Sequence, residues 1–216
     1  MCAKVVDKKE KKDGIVTAAI SEFAKKGFAK TTINDIAAAA GIGKGTVYEY
    51  FENKEAIINY SFGYFMRSLE LDMEEILISK VPAREKLRQI FDLFSDMNNW
   101  SSVEFIELWF DFWSEGIRSK SSKGVLLKDM NLFYRSYREL FAAIIVEGMN
   151  NGSFRKNINP ENAAAMIIGA LDGIMVQWVL DKENFDFSGV VQTIKFTVLR
   201  GLSAAPAQGN SEANDE

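Results

Sequence analysis

The twenty residues from Thr32 to Phe51, TINDIAAAAGIGKGTVYEYF, constrain this chain more than any other feature, because they encode two short helices joined by a turn too tight for an ordinary loop. Thr32 and Asp35 make a Thr-x-x-Asp capping box, in which the hydroxyl accepts an orphan backbone N–H at the helix start and the carboxylate reaches back. Ile33, Ile36, Ala37 and Ala40 follow at i, i+3, i+4 and i+7 as one apolar stripe, and Gly41 stands where a left-handed residue ends a helix. Ile42 can fill the space between the helices. Gly43 opens a second helix whose Val47 and Phe51, four apart, point inward. Its outer face carries Lys44, Gly45, Thr46, Tyr48 and Tyr50. A charge, a close-approach glycine and hydroxyl donors suit a phosphate-lined groove, so the segment reads as a helix-turn-helix.

The other segments also read as helix. Only three prolines occur in 216 residues, and no convincing run alternates apolar with polar residues, so the chain is expected to be all-α with about nine helices. A first helix is expected over Lys12–Lys26, ending at Gly27 and packing across the helix-turn-helix. Asn53 should cap a long helix, Lys54–Ser79, of almost ~40 Å. Further helices are expected near Ala83–Met97, Val103–Ile117 and Lys123–Met149. Asn159 and Pro160 then open a helix to about Asp181, and Asp186 or Ser188 caps a last one to about Arg200. The expected division is a helix-turn-helix domain over 1–53, with 1–11 as a flexible, solvated arm, and a second helical domain over 54–202. The polar tail 203–216 is expected to be disordered.

Composition narrows the chemistry. Hydrophobic residues make up 47%, yet no run of about 18 uninterrupted apolar residues exists, and the charged start lacks a signal peptide's apolar stretch, so a cytoplasmic protein with no membrane partner is expected. A single cysteine, Cys2, excludes an intrachain disulfide. The formal charge is −4 and uneven: residues 1–48 hold nine lysines against five acidic residues, a net +4 that coincides with the helix-turn-helix and leaves −8 elsewhere.

The stretch GFAKTTINDIAAAAGIGKGTVYEYFENKEAI, ending at Ile57, resembles the DNA-binding segment of the TetR family of bacterial transcription regulators. The match includes Gly27-Phe28, the Thr31-Thr32 start, the Ala-Gly-Ile turn, the Gly-Thr-Val-Tyr-x-Tyr-Phe helix and Asn53-Lys54-Glu55. Beyond it, helix number, length and the stretch from Leu171-Asp172-Gly173 to Trp178 are similar. The resemblance implies that Thr32 and Tyr48 hydrogen-bond phosphates, that Lys44 and Thr46 face base edges or nearby phosphates, and that Gly45 lets the backbone approach the groove. Lys54 would pair with another phosphate, and Tyr50 and Asn34 match positions that sometimes contact DNA. It further implies a homodimeric repressor on a near-palindromic operator, released by a small-molecule effector and needing no cofactor.

The same residues admit two other functions. Gly41 to Thr46 has some likeness to a nucleotide-binding P-loop, but Ala38 stands where the first glycine belongs, Gly45 where the hydroxyl belongs, and a helix rather than a strand is expected before it. With no histidine and one cysteine, Ser-His-Asp, Cys-His and histidine-based metal sites are excluded, and no enzyme is expected. The other alternative is a helical lipid-binding or protein-interaction module with a purely structural helix-turn-helix.

The segment Trp100–Trp113 is aromatic around its whole circumference and must be largely enclosed. With Phe62, Phe65, Phe91, Phe94, Phe133 and Met175 it could line a cavity for an apolar or aromatic effector, or simply fill a core. Trp109, Trp113, Tyr134, Tyr137 and Trp178 are the candidate ligand contacts, and Arg138 or Asp111 the candidate polar orienter. Finally, Ala163, Ala164, Ala165, Gly169, Ala170 and Gly173 share one helix, although each helical glycine costs about 1 kcal/mol relative to alanine. Close packing against another helix would offset that. With Val190, Val191, Ile194, Val198 and Leu199 the run points to a four-helix dimer interface, or to packing within the chain.

Overall fold

The computed structural model describes residues 8–95, 103–118 and 125–204. The first seven residues, Trp100 and the tail beyond 204 lie outside them, as do the side chains of Phe65 and Phe105. The described residues form α1 (Lys8–Lys30), α2 (Ile33–Ala39), α3 (Lys44–Tyr50), α4 (Lys54–Ile78), α5 (Ala83–Ser95), α6 (Val103–Arg118), α7 (Val125–Asn150), α8 (Pro160–Leu180) and α9 (Phe187–Leu202). This is the all-α architecture that the periodicity predicts, with boundaries shifted by a few residues.

The start differs from expectation. Residues Lys8–Lys11 are not an arm but the opening turn of α1. Lysine and glutamate are good helix formers, and Lys12 in the next turn lies 3.9 Å from the Tyr60 ring centroid and 5.1 Å from that of Phe51, which anchors the helix start. The helix then breaks at Gly27, where φ 73° and ψ 161° fall in a region that only glycine occupies without strain. After one more short turn the buried Thr31 shares its hydroxyl proton between the carbonyl oxygens of Glu22 and Gly27, at 3.1 and 2.9 Å. This closes α1 onto the start of α2.

Helix α4 joins the three-helix head to the body. Its 25 residues span ~37 Å at 1.5 Å per residue, and both ends are held. Asn53 Oδ1 accepts the Ala56 N–H at 2.8 Å at the head end. At the far end the buried Lys86 of α5 donates to the Leu77 carbonyl at 2.9 Å and pairs with Glu147 of α7 at 2.8 Å. A rod pinned at each end transmits displacement rather than absorbing it.

In the body, α5 packs on α7 and α9, and α7 packs on α8, which packs in turn on α9. The connection after α7 turns at Gly152, φ 80°, and then clasps the end of α9: the Arg155 N–H reaches the Leu202 carbonyl at 2.9 Å and the Ala204 N–H that of Ser153 at 3.1 Å. Asn159 caps α8, and of the two candidates for α9 Asp186 serves, accepting the Gly189 N–H at 2.9 Å. One continuous apolar core runs from Ile15, Phe23 and Val47 in the head to Phe91, Phe112 and Phe141 in the body.

Candidate DNA-binding face and effector cavity

The head presents its recognition helix as the local signals require. Thr32 and Asp35 form the reciprocal capping box, Gly41 adopts φ 66°, and Val47 and Phe51 are buried beneath α3. Lys26 of α1 reaches Asp35 at 2.9 Å and Glu22 at 2.9 Å, locking α2 against α1. The Lys26 ammonium, and after it the Thr32 hydroxyl, hold the Asp35 carboxyl well below the usual carboxylate range. The helix-turn-helix is thus a rigid platform.

On that platform Lys44, Gly45 and Tyr48 face solvent, Tyr48 being 49% exposed, and a Cβ added at Gly45 would meet nothing within 4 Å. Lys44 Nζ lies 6.0 Å from the centroid of the Tyr48 ring, so ammonium and phenol share one ridge. Thr46 and Tyr50, one turn apart, are half-buried and line a groove with Gly14 and Ile15 of α1, which turns them to the flank of this face. Asn34 is exposed on α2. No strand precedes Gly43 among the described residues, since 33–39 is helical, so the P-loop context is missing.

Two residues serve otherwise than the resemblance implies. Thr32 is exposed, but its hydroxyl donates to Asp35 Oδ2 at 2.7 Å and its N–H to the same oxygen at 2.9 Å, so its proton is engaged in the cap. Lys54 Nζ donates to the carbonyls of Phe28 at 2.8 Å, Thr31 at 3.2 Å and Ala29 at 3.4 Å. An ammonium has three protons, and all three close the negative end of α1. Lys54→Met is therefore expected to lower stability by about 2 kcal/mol, read from the urea midpoint, while the salt dependence of DNA binding stays as in the parent. An unchanged midpoint with a shallower salt slope would return Lys54 to a phosphate.

In the body a cavity of about 40 Å³ lies among α4, α5, α6, α7 and α8. Of the five aromatic candidates, Trp109, Tyr134 and Tyr137 line it. Trp113 does not: it is 40% exposed. Trp178 is buried elsewhere, 6.1 Å from Phe187 of α9, one turn beyond Met175 of the wall. Neither Arg138 nor Asp111 is on the wall, and Asp111 Oδ2 stands instead at Gly27, 3.6 Å from where a Cβ would be. The volume answers the choice between cavity and core: the site is nearly filled, so a ligand larger than a few waters must open it.

The wall also contains Met66, Phe141, Ile168 and Asp172, which the sequence reading did not select. Asp172 carried a signal, as the only charge between Glu161 and the end of α8. Its Oδ2 accepts the Tyr134 hydroxyl at 3.0 Å. Burial pushes its carboxyl up to about 6, against a smaller opposing effect of the Tyr134 bond, while burial and then the Asp172 charge hold the Tyr134 hydroxyl above its ordinary value. The folded state thus binds the Asp172 proton more tightly than the unfolded state. Stability should fall as pH rises from about 4 to about 6 and then level, by on the order of 2 kcal/mol from this group. Asp172→Asn should flatten that part of the curve in urea titrations across the range; an identical curve would contradict the burial.

Ring contacts connect the cavity with the head. Tyr137 lies 4.2 Å from Phe133, Phe133 5.4 Å from Trp109, and Trp109 6.1 Å from Phe62 between centroids. Phe62 lies 5.4 Å from Phe112, Phe112 4.9 Å from Phe28, and Phe28 4.7 Å from Phe23. The last two rings belong to α1, so the series passes from the cavity wall into the DNA-binding head.

A rigid helix-turn-helix on a pinned strut above an aromatic cavity defines a DNA-binding transcriptional regulator of the ligand-responsive kind. Residues 15–60 match the profile of bacterial regulatory proteins of the TetR family, and 83–203 that of the C-terminal part of BetI-type transcriptional repressors. The chain belongs to the TetR family, whose members are soluble regulators that bind DNA operators and small-molecule effectors, and it is a ligand-responsive repressor of that family. It is 27% identical over 192 residues to the fatty acid metabolism regulator protein of Bacillus subtilis, covering 87% of this chain and 93% of that one. Among solved structures, the regulator FadR of Bacillus subtilis in complex with stearoyl-CoA shares the fold at TM-score 0.74 and 24% identity, covering 88% of this chain and 98% of that one. A regulator of Saccharomonospora viridis in complex with choline does so at 0.76 and 19%, covering 92% and 100%.

Proposed function

We propose that this cytoplasmic protein is a homodimer that holds a near-palindromic operator through two α3 helices and releases it when an apolar small molecule enters the aromatic cavity. The functional division is a DNA-binding head through residue 53 and an effector and dimerisation body from residue 54. Lys44, Gly45 and Tyr48 form the centre of each DNA contact. Thr46, Tyr50 and Asn34 flank it, and Thr32 and Lys54 hold its frame. Trp109, Tyr134 and Tyr137 meet the effector. The solved relatives hold a long acyl thioester in one case and choline in the other, so the shared fold leaves the ligand's head group open.

The dimer reading rests on what α8 leaves uncovered. Cβ atoms added at Gly169 and Gly173 would meet nothing within 4 Å, so these glycines do not serve packing within the chain. Met166, 58% exposed, Val176 and Leu180 continue their stripe. On α9, Val191, Val198 and Leu199 are spent inside the protomer, and it is Phe196, 63% exposed, that lies outside. Although α8 is long and apolar enough to cross a bilayer by length and composition, a second copy that pairs α8 and α9 into four helices covers the same face.

The observation that carries the release mechanism is the ring series from the cavity to Phe28 and Phe23 of α1. Because the resting cavity is nearly full, a ligand must displace Trp109 or Phe133, and closely packed rings pass that movement on rather than absorb it. Recognition helices serving half-sites one turn apart must stand ~34–36 Å apart, so a liganded head separation that differs from this disfavours the complex. The test is fluorescence anisotropy on operator DNA, with emission followed in parallel in a variant whose other three tryptophans are replaced by phenylalanine so that Trp109 alone reports. Quenching of Trp109 should accompany a loss of operator affinity of about tenfold or more; quenching with unchanged affinity would overturn the mechanism.

A further inference from the structure

The cavity that the proposed function assigns to an effector has, among the described residues, one charged wall residue, whose sign constrains the ligand. Besides its aliphatic residues it is walled by the rings of Phe94, Trp109, Phe133, Tyr134, Tyr137 and Phe141, and by the carboxyl group of Asp172. Among the described residues no basic side chain lines the cavity or pairs with Asp172. Asp172 lies within a helix that is otherwise uncharged from Ala163 to Leu180, and it is itself partly buried. Its Oδ2 takes the proton of Tyr134 at 3.0 Å. That contact engages Oδ2 and leaves Oδ1 for a ligand.

The one formal charge on the described wall is negative. Aromatic faces are negative at their centres, so a cavity walled by such rings favours a cation over an anion. The carboxylate adds to that field. An anionic head group would shed its water beside another anion with no cation to compensate, which is the costly case for a buried charge. A neutral chain would bury well but gain nothing from Asp172.

We infer that the effector of this chain is an apolar molecule bearing a positively charged nitrogen, which the ring faces of the cavity enclose and which Asp172 Oδ1 accepts as an ion pair. The inference rests on the cavity being the effector site, and it is sharper than the general apolar reading because it excludes ligands whose buried end is anionic. Tyr134 then acts as a positioning residue that orients the carboxylate from one side while the ligand approaches from the other.

The test uses three molecules with one chain and three heads, octylammonium, octanol and octanoate, titrated into the full-length protein by calorimetry and, separately, into its operator complex by anisotropy. Octylammonium should bind at least about tenfold more tightly than octanol, a preference equivalent to about 1.4 kcal/mol. Octanoate should bind most weakly of the three. In Asp172→Asn the ratio of octylammonium to octanol affinity should collapse toward one; reading a ratio within each protein cancels any general change in the variant. Should the variant not fold, the ranking in the unsubstituted protein decides alone. Octanol or octanoate matching or surpassing octylammonium would overturn the inference, as would a ratio unchanged in Asp172→Asn. The two readings fail separately. Calorimetric preference for the cation without operator release would sink the release mechanism and leave the ligand class standing, whereas release by octanoate would do the reverse.

Discussion

Replacing Lys44 by alanine is expected to weaken operator binding by about 100-fold or more while leaving the fold intact. The ammonium stands on the solvent side of α3 beside Tyr48, whereas the helix is held by Val47 and Phe51 on its other side, so truncation removes the contact without disturbing the platform. A direct side-chain contact to DNA contributes about 1–3 kcal/mol, and a two-headed protein loses it twice. At matched salt two contacts near the middle of that range, ~4 kcal/mol together, lower the affinity by more than two decades. If Lys44 neutralises a phosphate, the slope of log affinity against log salt also falls by about two per dimer. Wild-type affinity in Lys44→Ala would remove Lys44 from the interface.

The second large effect concerns Gly169. Nothing within the protomer lies within 4 Å of a Cβ at this position, so Gly169→Trp should fold as the parent does, with circular dichroism unchanged. Placed in the stripe with Met166, Val176 and Leu180, the indole would hold two α8 helices apart. Light scattering should then report a monomer at concentrations where the parent is a dimer. Operator affinity should fall by about 10²–10⁴-fold, because two heads that are no longer linked lose the effective concentration that makes the second contact intramolecular. A dimer of parent affinity in Gly169→Trp would show that the interface lies elsewhere, and Phe196 of α9 would be the next residue to substitute.

What could be read from residue order was what depends on neighbours a few positions away. The Thr32–Asp35 box, the left-handed Gly41 and the caps at Asn53 and Asn159 all involve partners within four residues, and each appears in the structure as the pattern requires. Positions decided by distant partners were not legible. The carbonyls that take up Lys54 lie 23 to 26 residues earlier, and nothing near residue 54 announces them. Asp111 is drawn to Gly27, far away in the chain.

The aromatic helices show the same limit in another form. An aromatic-rich helix such as α6 has a polar stripe, Glu104, Glu107, Asp111 and Glu115, but its periodicity does not say which ring faces which neighbour. Trp109 turned to the cavity, Trp113 to solvent and Trp178 toward Phe187, although their types and settings look alike in the sequence. The same ambiguity placed Val191, Val198 and Leu199 at the outer face of α9, where Phe196 stands instead. Asp172 was the exception that could have been found, because a lone charge in an otherwise apolar helix needs a reason.

The claim on which the account stands is that the outward ridge of α3 enters the major groove of duplex DNA in pairs. Selection of duplexes from a randomised pool by the purified full-length protein tests it most directly. The account predicts enrichment of an inverted repeat whose half-site centres are one helical turn or a multiple of it apart, about 10–10.5 base pairs per turn. Lys44→Ala should fail to enrich it. Recovery of no duplex, or binding of a nucleotide at Gly41–Thr46 in place of DNA, would contradict it.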